Sequence, residues 1–240
     1  MLKDLVERQM DNKLEEKLNA IQHHLKSNIS LKNNFQLDEI KFVAGVDIAY
    51  WTVENDDYGV CSIQILDYLK KEVIEEVECI GRVEFPYISG YLAFRELPLI
   101  VKAVQKLKNS PDLYMFDGNG YLHGRNMGIA MHASIELGKP AIGVAKTYSK
   151  VSNVNFTMPQ NLKGAFTDIV IDGEVYGRAL RTRVDVKPIF VSCGNWIDLD
   201  TATKITMHFV EEDSRLPITV RYADLATHEA RRRRQKKKLR

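Results

Sequence analysis

The sequence contains few cysteines and no long apolar segment, and these two absences exclude several classes of protein. Its three cysteines, Cys61, Cys79 and Cys193, do not have the spacing of a zinc site. A sparse, odd set of cysteines, in a chain that starts with a charged helix in place of an export signal, is typical of reduced thiols in the cytoplasm. No apolar run approaches the ~20 residues that span a bilayer. We therefore expect a cytoplasmic protein that does not enter a membrane, with Cys61 and Cys79 as small core residues.

The chain also lacks internal repeats and linkers, so we expect a single domain over residues 1–230, acting as a monomer. An amphipathic helix is predicted over residues 2–26, packed on the main sheet. The last ten residues, 231–240, carry eight of the 34 basic residues and none of the 32 acidic ones. Two interpretations of this segment stay open. It is either a disordered, solvated tail, or a tail that binds a polyanion by releasing counterions.

The order of the predicted elements indicates an α/β protein with helices on both faces of one sheet. Three strand-like segments with short gaps predict an antiparallel meander, over residues 42–50, 59–69 and 71–83. Helix, strand, helix and strand follow, over residues 89–107, 113–116, 126–137 and 141–145. The remaining predicted elements are a hairpin (169–171 and 175–183), a strand (189–192) and two helices (from 198 to 207 and beyond, and 218–233). This is the order of the ribonuclease H-like fold, a mixed sheet in which the first and fourth strands lie side by side.

Three acidic side chains fall where that fold would bring them together. Asp47 lies within the first strand, Asp117 ends the fourth, and Glu96 lies on the helix between them. A buried carboxylate is costly unless something positive pairs with it, and one divalent cation satisfies several carboxylates together. The three acids therefore predict a Mg²⁺ site, with Mn²⁺ as a substitute, that activates water against a phosphodiester. Taken singly, Glu96 could be a surface residue and Asp117 a turn residue.

Two further polar side chains are candidates for the same site. The segment Asp117-Gly-Asn-Gly120 is a glycine-rich loop at the carboxyl end of a strand, where open α/β sheets bind ligands. His123 follows it and is a candidate metal or phosphate ligand, the alternative being a solvated loop histidine. Lys146 follows the buried strand 141–145 and could orient water or neutralise a phosphate. The alternative is a lysine whose charged end reaches solvent along an apolar stem.

An aromatic and a branched apolar residue, Tyr87 and Ile88, follow Pro86 on a short loop. An exposed pair of this kind can wedge between bases, although a loop packed on the core is the more ordinary interpretation.

Together these motifs resemble the endonuclease V family, in family order from about residue 40 to residue 226. The matching stretches are Ala44-Gly-Val-Asp47, Pro86-Tyr-Ile88, Gly90-Tyr-Leu-Ala-Phe-Arg-Glu96, Asp117-Gly-Asn-Gly120 with His123, Gly143-Val-Ala-Lys146, Gly177-Arg-Ala-Leu-Arg-Thr-Arg183, Val191-Ser192 with Gly194, Arg215-Leu-Pro217 and Arg221-Tyr-Ala-Asp224. Their joint order and spacing make a chance match improbable, although each piece alone is weak.

The resemblance implies a ribonuclease H-like fold and a role for each matching residue. The metal acids would be Asp47, Glu96 and Asp117, and the active-site histidine and lysine would be His123 and Lys146. Tyr87 and Ile88 would form the wedge that separates the strands. The flipped base would enter a pocket near Gly90, Leu92, Gly118 and Gly120. The family hydrolyses the second phosphodiester bond on the 3′ side of deoxyinosine in DNA, leaving a 3′-hydroxyl and a 5′-phosphate.

Two alternatives to this activity stay open. One is a nuclease of the same fold that acts on inosine-containing RNA, and the other is a protein that binds inosine or branched nucleic acid without cutting it. The sequence also departs from the common family pattern at Ser89, Gly124 and Asn195, where a proline, a proline and a histidine are usual. These departures concern substrate range and rate more than the type of reaction.

Overall fold

The computed structural model describes the backbone of residues 2–237 and the side chains of residues 12–235. Within this part of the chain, eight strands form one sheet in the order β3-β2-β1-β4-β5-β8-β7-β6. The strands are β1 Phe42–Val53, β2 Asp56–Asp67, β3 Val73–Arg82, β4 Leu113–Asp117, β5 Ala141–Ala145, β6 Phe166–Ile171, β7 Glu174–Leu180 and β8 Ile189–Cys193. The α-helices are α1 Leu2–Lys26, α2 Leu92–Val104, α3 Ile129–Leu137, α4 Leu199–His208 and α5 Ile218–Lys237. None of these helices combines the length and apolar character needed to cross a membrane.

The sheet is mixed, as the sequence predicts. The strands β1, β2 and β3 form an antiparallel meander, and β1, β4 and β5 run parallel to one another. The strands β8, β7 and β6 extend the sheet with antiparallel pairs. This arrangement confirms the ribonuclease H-like fold and the predicted pairing of the first strand with the fourth.

The central strands are apolar because helices cover both faces of the sheet. All five residues of β5 and all five of β8 are buried. The hydrophobic cluster on one face joins Val43, Met115 and Ile142 of the sheet to Phe209, which follows α4, and Val220 of α5. The cluster on the other face joins alternate side chains of β1 and β4 to α2 and α3. The buried Cys61 and Cys79 belong to this second cluster as free thiols, as predicted.

The structure corrects the start of two predicted helices, and a left-handed backbone conformation explains both cases. The helix α2 begins at Leu92 and not at residue 89, because Gly90 has a φ of 83°. The helix α3 begins at Ile129 and not at residue 126, because Asn126 has a φ of 57°. A residue with positive φ cannot belong to a right-handed helix.

Strand ends are corrected in the same way. The strand β3 begins at Val73, since Lys71 has a φ of 60° and closes the turn after β2. The strands β1 and β2 are longer than predicted, because they continue to a tight turn at Glu54, whose φ is 58°. A two-residue hairpin needs this left-handed geometry to match the twist of its strands. The strand β7 ends at Leu180 and not at residue 183.

The helix α1 makes its described polar contacts with loop segments, and its packing on the main sheet stays a prediction. The Gln22 side chain, which is buried, donates a hydrogen bond to the Gly90 carbonyl at 3.3 Å and accepts one from Arg125 Nε. The Tyr91 hydroxyl donates to Asn19 Oδ1 at 2.9 Å. The described polar contacts of α1 therefore go to the segments just before α2 and before α3.

The structure also describes most of the basic segment 231–240, for which a disordered tail was one of two interpretations. Residues up to Lys237 continue α5, so residues 231–237 are helical where a disordered tail was considered. Residues 238–240 lie outside the described part of the chain. Four consecutive arginines, 231–234, are therefore held on a helix whose preceding turns pack on β1 and β2.

Candidate active site

Three aspartates from three different elements converge at the carboxyl end of β4. Asp47 of β1, Asp117 of β4 and Asp224 of α5 each contribute a carboxylate oxygen, and these oxygens lie within 4.8 Å of one another. Register explains the first two, because Val46 lies opposite Phe116 in the parallel pair and the aspartates come next. The helix α5 adds the third as it crosses β1, where Thr227 Oγ1 donates to Asp47 Oδ2 at 2.7 Å.

The electrostatics of this cluster are those of a cation site. Burial raises the pKa of Asp47, and the nearby charges of Asp117 and Asp224 raise it further, although the Thr227 hydrogen bond opposes them. Burial and the charge of Asp224 also raise the pKa of Asp117. Burial and like charges so close disfavour the ionised state of Asp47 and Asp117. Hard carboxylate oxygens in this number suit Mg²⁺ or Mn²⁺, so the residues present fit a divalent metal.

Lys146 lies inside the same cluster. Its Nζ is 2.6 Å from Asp117 Oδ2 and 2.7 Å from Asp224 Oδ1. Burial alone would lower the pKa of Lys146, but its hydrogen bonds to these two carboxylates raise it. The structure therefore places a charged ammonium at the end of β5, directed into the site and not along an apolar stem to solvent. One ammonium does not balance three carboxylates, which leaves room for a cation.

Glu96, the third acid of the predicted metal set, lies close to the aspartate cluster. It lies on α2, and its Oε1 accepts a hydrogen bond from the Tyr50 hydroxyl at 2.7 Å. Burial raises the pKa of Glu96 to about 8, and the charges of Asp47 and Asp117 add to the effect. Glu96 is thus within the electric field of the cluster, but it is not one of the three carboxylates that meet within 4.8 Å. The role of Glu96 as a metal acid stays a prediction, and Asp224 is a further candidate beside it.

Asp224 is the site residue that the sequence analysis did not assign. It appears there only as the last residue of a matching stretch. It lies on a helix with no strand pattern to mark it, 177 positions after Asp47. The available signal was its place in that stretch, Arg221-Tyr-Ala-Asp224.

His123 lies apart from the carboxylates, in the loop that precedes α3. Its Nδ1 accepts hydrogen bonds from the backbone N–H groups of Arg125 and Met127 at 3.2 and 3.4 Å. Burial lowers the pKa of His123 to about 4, helped by the charge of Arg125, and a hydrogen bond to the Gly90 backbone opposes this. The described contacts place a neutral His123 beside Gly90, where the resemblance puts the base pocket.

The glycine-rich loop after β4 is packed tightly against β8. A Cβ on Gly120 would lie 2.0 Å from the Cys193 carbonyl oxygen, and the Gly120 N–H donates to Ser192 Oγ at 2.8 Å. Gly118 has a φ of 153°, and a Cβ there would lie 2.6 Å from Ile129 Cγ2. Only glycine permits this approach. Between them the Asn119 Oδ1 atom is buried without a hydrogen-bond partner among the described residues, so this loop has a free acceptor.

The loop between β3 and α2 presents its aromatic residue to solvent. The Tyr87 side chain is 72% exposed, and Ile88 is half-buried. The core-packed alternative therefore does not apply to Tyr87. Leu92 begins α2 directly behind this loop, and Gly90 is held between Gln22, Arg125 and His123.

Comparison with known proteins finds a matching family profile, close relatives and similar crystal structures. The endonuclease V family profile matches residues 23–225. The chain is 60% identical over 223 residues to an endonuclease V of Bacillus thuringiensis subsp. konkukian. This match covers 93% of this chain and 95% of the relative. A crystal structure of endonuclease V from Bacillus subtilis superposes with a TM-score of 0.90 at 55% identity, covering 93% of this chain and 94% of that one.

A third comparison involves a nucleic-acid complex. Endonuclease V of Ciona intestinalis, crystallised with a 23mer DNA containing an inosine followed by a ribo-adenosine, has a TM-score of 0.80 at 26% identity. The match covers 91% of this chain and 97% of that one. With a profile match over most of its length and relatives of such high identity, this chain belongs to the endonuclease V family.

Proposed function

We propose that this protein is a divalent-metal-dependent DNA repair endonuclease that acts at deoxyinosine. It hydrolyses the second phosphodiester bond on the 3′ side of the lesion, leaving a 3′-hydroxyl and a 5′-phosphate. The observation that carries the proposal is the meeting of Asp47, Asp117 and Asp224 around Lys146. The inosine-containing DNA in the complex of the Ciona relative supports the choice of substrate.

The three aspartates would hold Mg²⁺ or Mn²⁺ at the end of β4. The bound metal supplies a Lewis acid for the phosphate and a water of lowered pKa. Lys146 adds a fixed positive charge beside the attacked phosphate, where negative charge develops. Glu96 lies behind Asp47 and Asp117, close enough to feel their charges, and orients water or the metal from the α2 face.

The second part of the proposal concerns the base. Tyr87 and Ile88 hold the strands apart, and the inosine base is flipped toward Gly90, Leu92, Gly118 and Gly120. Flipping costs least for a weakly paired base, which favours inosine over the normal bases. The free Asn119 Oδ1 in this loop can accept a hydrogen bond from the base edge.

The test is strand cleavage of a labelled DNA oligonucleotide that contains one deoxyinosine, in Mg²⁺ and in EDTA. The control is the same strand with adenine. We expect a metal-dependent cut one nucleotide beyond the lesion, lost in Asp47→Asn and retained in Glu212→Gln, an exposed acid paired with Lys163. A cut that persists in EDTA, or equal cutting of the adenine strand, would overturn the proposal.

An RNA substrate is the second candidate, and one observation favours testing it. The Ciona complex contains a ribo-adenosine directly after the inosine. Contacts to a 2′-hydroxyl distinguish RNA from DNA, so competition between matched inosine-containing DNA and RNA strands decides between the two substrates. Inosine-dependent binding without product would instead favour a non-cleaving binder. A monomeric state and a cytoplasmic location stay predictions.

A further inference from the structure

A groove of about 480 Å³ lies beside the C-terminal turns of α5, outside the carboxylate cluster and the base pocket. We call it the Trp51 groove. It is lined by Trp51 of β1, Tyr58 of β2, Ile80 of β3, and Arg234 and Gln235 of α5. The Trp51 and Tyr58 rings stack at 6.1 Å between centroids with an interplanar angle of 16°. Trp51 and Ile80 also pack on Ala49, Val60 and Ala230, which fix the wall of the groove.

Two elements, β1 and α5, carry residues of both the carboxylate cluster and this groove. Along β1, Asp47 and Trp51 are four residues apart and share one face, which is about 13 Å at 3.3 Å per residue. Along α5, Asp224 and Arg234 are ten residues apart, which is about 15 Å at 1.5 Å per residue. One strand of B-form DNA covers such a distance in about four nucleotides.

The helix surface between the cluster and the groove is basic. His228 Nε2 lies 3.6 Å from Asp224 Oδ1, and Arg231 NH2 lies 2.9 Å from His228 Nδ1. Arg233 points elsewhere, because it pairs with Glu78 at 2.6 Å. Arg232 and Arg234 are exposed, and neither has a carboxylate partner among the described side chains. They are therefore available to an anion.

Two acids on the strands beside the groove are paired. Asp56 pairs with Arg82 at 2.7 Å and Asp57 with Arg95 at 2.9 Å. These pairs offset two of the negative charges near Arg234, although the exposed Glu54, next to Val53 of the groove, has no salt bridge among the described residues. Stacked aromatic rings beside unpaired arginines are the combination that proteins use to hold single-stranded nucleic acid, with bases on the rings and phosphates on the cations.

We propose that the Trp51 groove binds unpaired nucleotides of the cleaved strand, about four nucleotides from the cut. Bases stack on Trp51 and Tyr58, and Arg234 contacts the phosphates. The inference rests on the proposed function, because it assumes that a nucleic-acid strand passes through the aspartate cluster. It adds to the enzyme a second contact region, separate from Tyr87 and Ile88 of the wedge loop.

Tryptophan fluorescence tests the inference without any cleavage. The chain has two tryptophans, Trp51 and Trp196, so Trp196→Phe leaves Trp51 as the single emitter. In EDTA, with an unmodified single-stranded oligonucleotide, we expect Trp51 emission to be quenched as the strand binds. Arg234→Glu should weaken this binding and lower the slope of log affinity against log salt by about one or more. Lys163→Glu reverses a surface charge elsewhere and should change neither.

The outcomes separate this inference from the proposed function. Unquenched Trp51 in the presence of a strand bound by fluorescence anisotropy would overturn the inference, and would leave the groove to a protein partner. Quenching in a protein that does not cut would support the groove while the proposed function fails. Should Trp196→Phe not fold, the difference between the wild type and Trp51→Phe reports the same signal.

In strand-cutting assays, Trp51→Leu should raise the KM for long strands about five-fold or more, and not for strands that end within two nucleotides of the lesion.

Discussion

Replacing Asp224 by asparagine tests whether this residue is a metal ligand in addition to the acids predicted from the sequence. In the metal-free protein the substitution removes two repulsions, from Asp47 and Asp117, and one attraction, to Lys146. Because the oxygens lie within 4.8 Å of one another, each repulsion is about 3.5 kcal/mol or more at an effective dielectric of 20, and at 2.7 Å the attraction is about 6 kcal/mol. The repulsions oppose the attraction, so we expect the metal-free unfolding free energy to fall much less than loss of the Lys146 pair alone would cause.

The metal-bound state should respond very differently. A ligand present at 100 times its Kd stabilises the folded protein by about 2.7 kcal/mol, which is about 5–10 °C in Tm for a chain of this size. Loss of one of three carboxylates that hold the ion should abolish most of this shift in Asp224→Asn. Because Glu96 lies outside the cluster, Glu96→Gln should keep a larger part of it.

The assay is thermal unfolding with and without Mg²⁺, which needs no cleavage. Glu212→Gln serves as the control, because its carboxylate is exposed and pairs only with Lys163. An Asp224→Asn protein that keeps the full Mg²⁺-dependent rise in Tm would refute the reasoning. So would a Glu96→Gln protein that loses the whole rise while Asp224→Asn retains it, since this would restore the set of acids predicted from the sequence.

Three further substitutions follow from the same structure. Thr227→Val removes the hydrogen bond that lowers the pKa of Asp47; the acid limb of the rate–pH profile should move to higher pH, whereas Thr227→Ser should leave it in place. Gln22→Leu frees the Gly90 carbonyl from α1 and should raise the KM for inosine-containing strands several-fold with a smaller effect on kcat; equal KM values would make α1 irrelevant to the base pocket. Deleting residues 231–240 should weaken strand affinity and flatten its dependence on salt, and an unchanged slope in a binding titration would show that the arginines are bystanders.

Secondary structure was largely predictable because its signals are local. Alternating and continuous apolar runs identify the strands, and the three-to-four-residue period identifies the helices. The errors fall at residues such as Gly90, Asn126 and Lys71, whose positive φ values end an element before its apolar pattern ends. The presence of an asparagine or a lysine does not by itself predict a positive φ.

The candidate site likewise has a part that was predictable from the sequence and a part that was not. Asp47 and Asp117 could be paired from the sequence, because strand order in this fold makes β1 and β4 neighbours and equal register then brings the two carboxylates together. Lys146 follows from the same logic one strand further along. Glu96 lies on α2, near the aspartates but outside the three carboxylates that meet within 4.8 Å, and its role as a metal acid stays a prediction.

The sequence by itself determined the mixed sheet, the two strand carboxylates and the family, because each depends on local patterns in a fixed order along the chain. Only the tertiary structure showed that Asp224 meets the two strand carboxylates. Asp224 reaches the site because α5 docks across β1, with Thr227 bonded to Asp47, and this packing depends on a whole helix face and not on any motif. The same docking places residues 231–237 on a helix that continues from the carboxylate cluster.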